Sequence, residues 1–571
     1  MTSLKRIALV GLAMANTGFC VAASTKPNFV FIMTDDQDLH LSSLDYQPLI
    51  KKHLTDEGTT FNKHYCTVSL CCPSRVSLLT GKAAHNTNVT DVALPYGGYE
   101  QFINNGLHEK YLPVWLQEAG YNTYYTGKLM NGFKVETYNN PYPAGWTETD
   151  FLIDPQTYWY YNSSMSRNNE TYRYLPGNYS TDVVASSALE FLDTAIAADS
   201  PFFVGVTPIG PHAEMQPSAS GVFQLPTPAD RHKDLFPNIT APRTASFNKL
   251  RSGGASYLSS LPELNATEIE YIDLFYRRRI QSLQSIDELV ESVVTKLSAH
   301  PDVLANTYII YTSDNGFHLG QHRLAPGKTC NIEEDINVPF VVRGPGVAKG
   351  ATYNYSTTHT DIVPTLFQLA NITLHDDFDG EPIPVTTELQ QQLTAKSEHV
   401  NVEYWGTGIT EGTLPNWISG VLYNNTYKHV RVIADAYDLS YTVWCTNEHE
   451  LFDLTTDPFQ MTNLYAQSGS ISGYNSTKLT ARLDALLLTL KSCKGRACSR
   501  PWETLHPQGD VASLADAMNA QYDEFYLQQQ LKVSFSACAD GHLTQFEGAL
   551  EPVPYGGADV RRLVKNWEMW S

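Results

Sequence analysis

Four largely apolar runs, each closed by polar residues, set the strongest limit on how this chain folds. Residues 27–33 (Pro-Asn-Phe-Val-Phe-Ile-Met) lead into Thr34-Asp35-Asp36-Gln37-Asp38, and residues 121–126 lead into Gly127-Lys128. Residues 202–206 precede Pro208 and Pro211-His212, and residues 308–312 precede Ser313-Asp314-Asn315-Gly316. Apolar runs without alternation fit strands buried on both faces, as in a parallel sheet covered by helices. Helical patterns lie between them: residues 111–119 carry Leu112, Trp115, Leu116 and Ala119 on one face, and residues 181–197 and 269–297 are longer amphipathic stretches. This alternation predicts an α/β sandwich. In open α/β sheets ligands bind beyond the carboxyl ends of strands, so the four polar endings are expected to share one site. A Pro-, Ser- and Gly-rich region, residues 213–265, is expected to wall it, and a later helix begins at residues 360–366 with Asp361 near its start.

The endings carry chemistry. Asp35, Asp36, Asp314 and Asn315 offer only oxygen donors, which suits a hard cation such as Ca²⁺ or Mg²⁺. An Asp-Asp pair after a strand also serves as a helix cap, but two acids side by side without a cation repel each other. Residues 69–81 read Ser-Leu-Cys-Cys-Pro-Ser-Arg-Val-Ser-Leu-Leu-Thr-Gly. Pro73 suits the first turn of a helix, and Val76, Leu78 and Leu79 give it an apolar face. Cys71 is expected just before that helix, where the positive end of the dipole favours an anion. Arg75, one turn in, adds a fork of donors matched to sulfate or phosphate oxygens. The alternative is a structural Cys-Cys pair capping a buried helix. Taken singly, Lys128 and Lys328 read as surface lysines and His212 as a hydrogen-bonded loop histidine.

Together these motifs resemble the type I sulfatases of the alkaline phosphatase superfamily. The Cys-Cys-Pro-Ser-Arg segment is similar to the family signature, in the form found in fungal arylsulfatases and glucosamine-6-sulfatases. Gly120-Tyr121-Asn122-Thr123 with Gly127-Lys128 resembles the second signature, and Glu450-Leu451-Phe452-Asp453-Leu454 with Asp457-Pro458 and Asn463-Leu464 is also family-like. The resemblance runs from about residue 27 to 465 with motifs in consistent order. It implies a large mixed, mostly parallel sheet between helices. It implies one Ca²⁺ on Asp35, Asp36, Asp314, Asn315 and residue 71. It also implies that Cys71 is oxidised to formylglycine (3-oxoalanine) by a formylglycine-generating enzyme. Arg75, Lys128, His212 and Lys328 map to sulfate-binding and catalytic positions. One hydroxyl of the aldehyde hydrate attacks sulfur, His212 protonates the departing alcohol, and the second hydroxyl releases sulfate from the sulfo-enzyme. Many sulfatases carry a histidine two residues after the Gly-Lys lysine; here Met130 stands there, followed by Asn131. His85, His318 and His322 are the candidates for the missing base, with His85 the more structural of them.

Composition bears on setting and partners. The 571 residues carry a net charge of −21, which argues against nucleic acid or anionic membrane as partners. Lys5 and Arg6, an apolar stretch over 7–21 and Val21-Ala22-Ala23 resemble a signal peptide over 1–23. Asn-x-Ser/Thr sites begin at Asn88, Asn162, Asn169, Asn178, Asn238, Asn265, Asn354, Asn371, Asn424 and Asn475, as expected for a secreted glycoprotein. Beyond Cys20, eight cysteines remain; if Cys71 is oxidised at least one stays free, with Cys72 the candidate, and Cys493 and Cys498 are close enough to close a small loop.

From about residue 385 the pattern changes. Residues 417–423 and 427–433 read as antiparallel strands joined at Asn424-Asn425, followed by a helix over 476–491. The expected division is a catalytic domain over 24–385 and a smaller α+β C-terminal domain with an antiparallel sheet over 386–571. The expected function is hydrolysis of aryl sulfates. The other readings are a sulfatase of sulfated amino sugars, a phosphonate or phosphate ester hydrolase of the same superfamily, and an inactive binder of sulfated glycans.

Overall fold

The structure is a computed structural model, and it describes residues 26–556 except 216–222, 254, 394–396 and 415–420. The expected signal peptide lies outside the described residues. All four apolar runs are strands: β1 (Asn28–Thr34), β2 (Asn122–Gly127), β3 (Phe202–Thr207) and β4 (Thr307–Ser313). They are consecutive and parallel at the centre of a ten-stranded mixed sheet, in the order β4-β1-β3-β2. Antiparallel pairing enters at both flanks, through Phe340–Arg343 beside β4 and Ser164–Arg167 beside Glu148–Leu152.

Successive side chains leave opposite faces of a strand, so each run feeds two cores. Val30, Ile32, Val204, Val206, Ile309 and Tyr311 meet the helices Ser180–Ala197 and Ala266–Ser298 on one face. Phe29, Phe31, Met33, Tyr125, Phe203 and Ile310 meet α1 (Cys71–Thr80) and the helix Ile362–Leu369 on the other. The longest helix, Ala266–Ser298, opens with a reciprocal cap between Asn265 and Glu268. Gly127, at φ +104°, ends β2 where only glycine fits: a Cβ there would lie 2.1 Å from the Thr207 carbonyl oxygen. That close approach turns the chain and delivers Lys128, whose N–H donates to the same carbonyl at 2.9 Å.

A second, four-stranded antiparallel sheet runs His399–Tyr404, Tyr427–Ala434, Tyr437–Trp444, His449–Asp453, with the helix Ser476–Leu490 packed on it. The expected hairpin across Asn424-Asn425 is not formed among the described residues, and 417–420 of its first strand lie outside them. Tyr427–Ala434 turns back through Asp435-Ala436 onto Tyr437–Trp444, while Val421–Leu422 pairs with Gly408–Ile409. Both turns are two residues of polar or small type, and alternation alone does not say which strand is the partner. Cys493–Cys498 and Cys445–Cys538 are disulfides; Cys66, Cys71, Cys72 and Cys330 are free. Of the ten Asn-x-Ser/Thr asparagines, Asn162 is half-buried and the others are exposed.

Gly127→Ala is expected to cost about 2–3 kcal/mol in urea unfolding, because the Thr207 carbonyl must move. Gly177→Ala, at φ +77° with nothing within 4 Å of the added Cβ, is expected to cost only about 1 kcal/mol.

Candidate active site

The carboxyl ends of the four central strands converge on Cys71. Asp35 and Asp36 extend β1, Lys128 follows β2, His212 lies on the loop after β3, and Asp314 and Asn315 follow β4. Cys71 is 1% exposed and is the first residue of α1 rather than the residue before it. Its Sγ lies 3.4 Å from Asp35 Oδ1 and 3.3 Å from Lys328 Nζ. Ser74 and Arg75 fasten α1 to β4: Ser74 donates to the Asp314 carbonyl and Arg75 Nε to Asp314 Oδ2 at 2.8 Å. The two cysteines face opposite ways. Cys72 points into the core beside Val76 and Phe102, where burial pushes its thiol up to about 12.

Three buried carboxylates meet three buried cations. Lys128 Nζ donates to Asp35 Oδ2 at 2.5 Å, and Lys328 Nζ to both oxygens of Asp36 at 2.6 and 2.7 Å. Arg75 bonds Asp314 and lies 3.6 Å from Asp35. Burial alone would raise the Asp35 carboxyl, but Lys128, His212 and Arg75 outweigh it and hold it at about 2. The Cys71 thiol is pushed well up by burial and by the Asp35 charge, so as a thiol it stays protonated. Three polar atoms here have no hydrogen bond: Asn315 Oδ1, an acceptor, Arg75 Nη2, a donor 3.6 Å from Asp35 Oδ2, and Glu411 Oε2. Asn315 Nδ2 meanwhile donates to Asp36 Oδ1 at 2.7 Å. Oxygen donors with one spare acceptor fit a hard cation, and a spare guanidinium N–H fits an oxyanion.

His212 Nδ1 donates to the Ala213 carbonyl at 2.6 Å, so Nε2, 3.6 Å from Asp36 Oδ2, is a bare acceptor. Burial, against the Asp36 charge, brings the imidazole down to about 4, so it is neutral at rest. Tyr158 stacks on it at 4.3 Å, lies 4.7 Å below Lys128 Nζ, and accepts from Asn131 at 2.6 Å. Met130 is buried in the core. Part of the loop region 213–265 does reach the site, where Phe223 packs on His212 at 6.2 Å.

The three histidines considered for the missing base are placed elsewhere. His85 is bonded through Nδ1 to Glu403 and through Nε2 to the Cys493 carbonyl, both at 2.8 Å. His318 pairs with Asp335 at 2.8 Å and groups with Cys330, not with Cys71. His322 has both ring nitrogens buried without a hydrogen bond, and burial pushes it far below the ordinary range.

Sequence reasoning missed Arg279 and Glu411. Arg279 lies in mid-helix, sits 4.1 Å over the Phe317 ring, and donates to the Asp36 carbonyl at 2.5 Å and to Asp38 at 3.1 Å. It thereby holds the left-handed backbone of Asp36, at φ +66°. The signal was present: position 279 falls in the apolar stripe of Phe275, Tyr276, Ile280 and Leu283, where a charge needs a buried partner. Glu411 reaches the site from the segment that bridges to the loop at Gly327, and nothing local in the sequence marks it.

The Sulfatase family model matches residues 27–372, more than half of the chain. The chain belongs to the sulfatase family. A second model, N-sulphoglucosamine sulphohydrolase, C-terminal, matches residues 320–489. This sulfatase is 49% identical over 408 residues to sulfatase ppz1 of Metarhizium majus, covering 72% of this chain and 88% of that one. It is 38% identical to an arylsulfatase of Volvox carteri, covering 88% and 80%, and 32% identical to human N-acetylglucosamine-6-sulfatase, covering 85% and 88%. Its fold is similar to that of BT4656 in complex with its substrate D-glucosamine-2-N,6-O-disulfate, at a TM-score of 0.62 and 21% identity, covering 78% of this chain and 94% of that one. The sulfatase is thus a sulfuric ester hydrolase. Family membership implies a metal ion and a formylglycine in general terms.

The depressed Asp35 carboxyl makes a testable link to stability. Its folded value, about 2, lies below the ordinary 3.8, so its contribution is complete above about pH 4 and is lost as pH falls through 2. Urea titrations are expected to show roughly 2 kcal/mol of this loss in the wild type. Lys128→Met is expected to remove that acid limb and to weaken the fold at neutral pH by about 3 kcal/mol, since Asp35 is left buried beside one fewer cation.

Proposed function

We propose that this protein is a secreted, Ca²⁺-dependent arylsulfatase whose residue 71 works as a formylglycine made from Cys71. The observation that supports this best is the pair of unmatched atoms beside Cys71: Asn315 Oδ1 needs a cation and Arg75 Nη2 needs an oxyanion. Asp35, Asp36, Asp314, Asn315 and residue 71 would hold calcium, which supplies positive charge to the sulfate. The charge balance agrees. Arg75, Lys128 and Lys328 cancel the three carboxylates. A divalent ion then leaves the site cationic enough to draw in a sulfate monoester, even on a chain whose net charge is −21.

Arg75, Lys128 and Lys328 bind the sulfate oxygens and stabilise the charge that develops on them. A protonated Cys71 thiol is a weak nucleophile, which favours the converted residue. As an aldehyde hydrate, residue 71 supplies two geminal hydroxyls, one to displace the alcohol from sulfur and one to let the sulfate go. His212 accepts a proton at its bare Nε2 and, once charged, returns it to the departing alcohol. Tyr158 and Asn131 keep its ring in place. The two disulfides and the surface sequons support export through an oxidising compartment. We assign the catalytic part to 24–385 and a C-terminal part to 386–571. Relatives named N-acetylglucosamine-6-sulfatase favour a sulfated amino sugar as a second reading.

Peptide mass spectrometry over residues 64–75 is expected to show the aldehyde in active enzyme; full activity with only the thiol present would refute the mechanism. Cys71→Ala is expected to abolish turnover of an aryl sulfate, whereas Cys72→Ala, which alters only core packing, keeps most of it. Chelation is expected to remove activity, and Ca²⁺ to restore it better than Mg²⁺, which demands a tighter octahedral shell. An aryl phosphate turned over faster than the matching aryl sulfate would instead assign a phosphate ester hydrolase.

A further inference from the structure

Glu411 is the buried group at this site that the scheme above leaves without work. It is 2% exposed and comes from outside the catalytic sheet. Its N–H donates to the Pro326 carbonyl at 2.7 Å, and the neighbouring Thr410 pairs with Gly327 in an isolated bridge, so the segment is stitched to the loop that presents Lys328. One carboxyl oxygen, Oε1, lies 3.6 Å from Lys328 Nζ, too long for a hydrogen bond but close for an ion pair. The other, Oε2, is buried and has no hydrogen-bond partner. Burial, opposed by the Lys328 charge, raises the carboxyl to about 7, so the ionised form is populated from neutral pH upward. Lys328 is already committed to both Asp36 oxygens and approaches Cys71 Sγ at 3.3 Å. Lys328 Nζ is thus within 3.6 Å of both the Cys71 sulfur and the Glu411 carboxyl, so a sulfate ester held on that lysine would come near Glu411.

An unmatched carboxyl oxygen in a closed polar site calls for a donor that arrives with the substrate. In its ionised form Glu411 takes no donor from the sulfate, because the free sulfate oxygens are all acceptors and a carboxylate repels them. The donor must sit on the leaving group. A plain aryl ring offers only C–H there, while a sugar offers hydroxyl or amide N–H groups one or two bonds from the sulfated oxygen. We propose that Glu411 is a specificity-determining residue that accepts a hydrogen bond from a hydroxyl or N–H of the leaving group, so that sulfated carbohydrates are preferred to plain aryl sulfates. The inference rests on the sulfatase reading and, of the two leaving groups named there, takes the sulfated sugar over the aryl alcohol as the preferred one. Aryl sulfates remain substrates because Arg75, Lys128 and Lys328 hold the sulfate whatever alcohol it carries.

The test uses the mature full-length enzyme with 4-nitrophenyl sulfate and with monosaccharide sulfates, N-acetylglucosamine 6-sulfate among them. The readout is the ratio of kcat/KM for the sugar sulfate to that for the aryl sulfate. Both values come from one preparation, so any misfolded fraction cancels. Glu411→Ala is expected to lower the ratio at least five-fold, and Glu411→Gln, which keeps a carbonyl acceptor, to lower it less. A ratio that changes less than five-fold in Glu411→Ala, or falls equally in both variants, overturns the proposal. So does a wild-type enzyme that hydrolyses the aryl sulfate but none of the sugars. A wild-type enzyme that hydrolyses no sulfate ester at all would instead remove the sulfatase reading beneath it.

Discussion

Charge neutralisation without water governs this molecule. Asp35, Asp36 and Asp314 sit at 0% exposure beside Arg75 and Lys128, also at 0%. Removing such groups from water is unfavourable unless each finds an opposite charge at hydrogen-bond distance. That requirement ties β1, β2, β4 and α1 into one unit. Arg75 holds Asp314 and the Lys128 carbonyl at once, and the same carbonyl accepts from Tyr125 and Thr207. The apolar faces of the sheet supply the bulk of the burial, but the ion pairs fix where the strand ends lie relative to one another.

Much of this was readable because the physics is local to each motif. A strand buried on both faces is largely free of charge, so charged residues at its end show. Asp35-Asp36, Lys128, His212 and Asp314-Asn315 could be picked out that way, and the structure brings them together with Cys71, Arg75 and Lys328. What could not be read depends on contacts between distant segments. The alternation of residues 427–433 showed a strand but not its partner, which turned out to follow Asp435-Ala436. His318 and His322 were suggested by nearness in sequence to the site, but Asp335 and the packing around Arg251 claim that neighbourhood instead. Tyr158 and Glu411 reach the site through folding alone. Arg279 was the exception, a charge placed in a greasy stripe and so visible in principle.

The antiparallel sheet also supports the catalytic loop. Arg251 donates to both oxygens of Glu450 at 2.6 and 2.7 Å, and Asn331, three residues beyond Lys328, donates to Glu450 at 2.8 Å and to Thr442 at 2.7 Å. The loop carrying Lys328 is thus braced by strands more than 100 residues away in sequence. A change in that sheet therefore reaches the loop that carries Lys328, and the segment bearing Glu411 meets the same loop at Gly327.

The depth of residue 71 has an implication for how the molecule is made. At 1% exposure, at the start of α1 and beside the ion pairs, its side chain presents no face to another protein. Any enzyme that alters it must meet it while the chain is still open, before the central strands close around it. If residue 71 works as the formylglycine proposed above, order of events matters as much as composition: a copy that folded first would keep its thiol, and conversion would need the chain to open again.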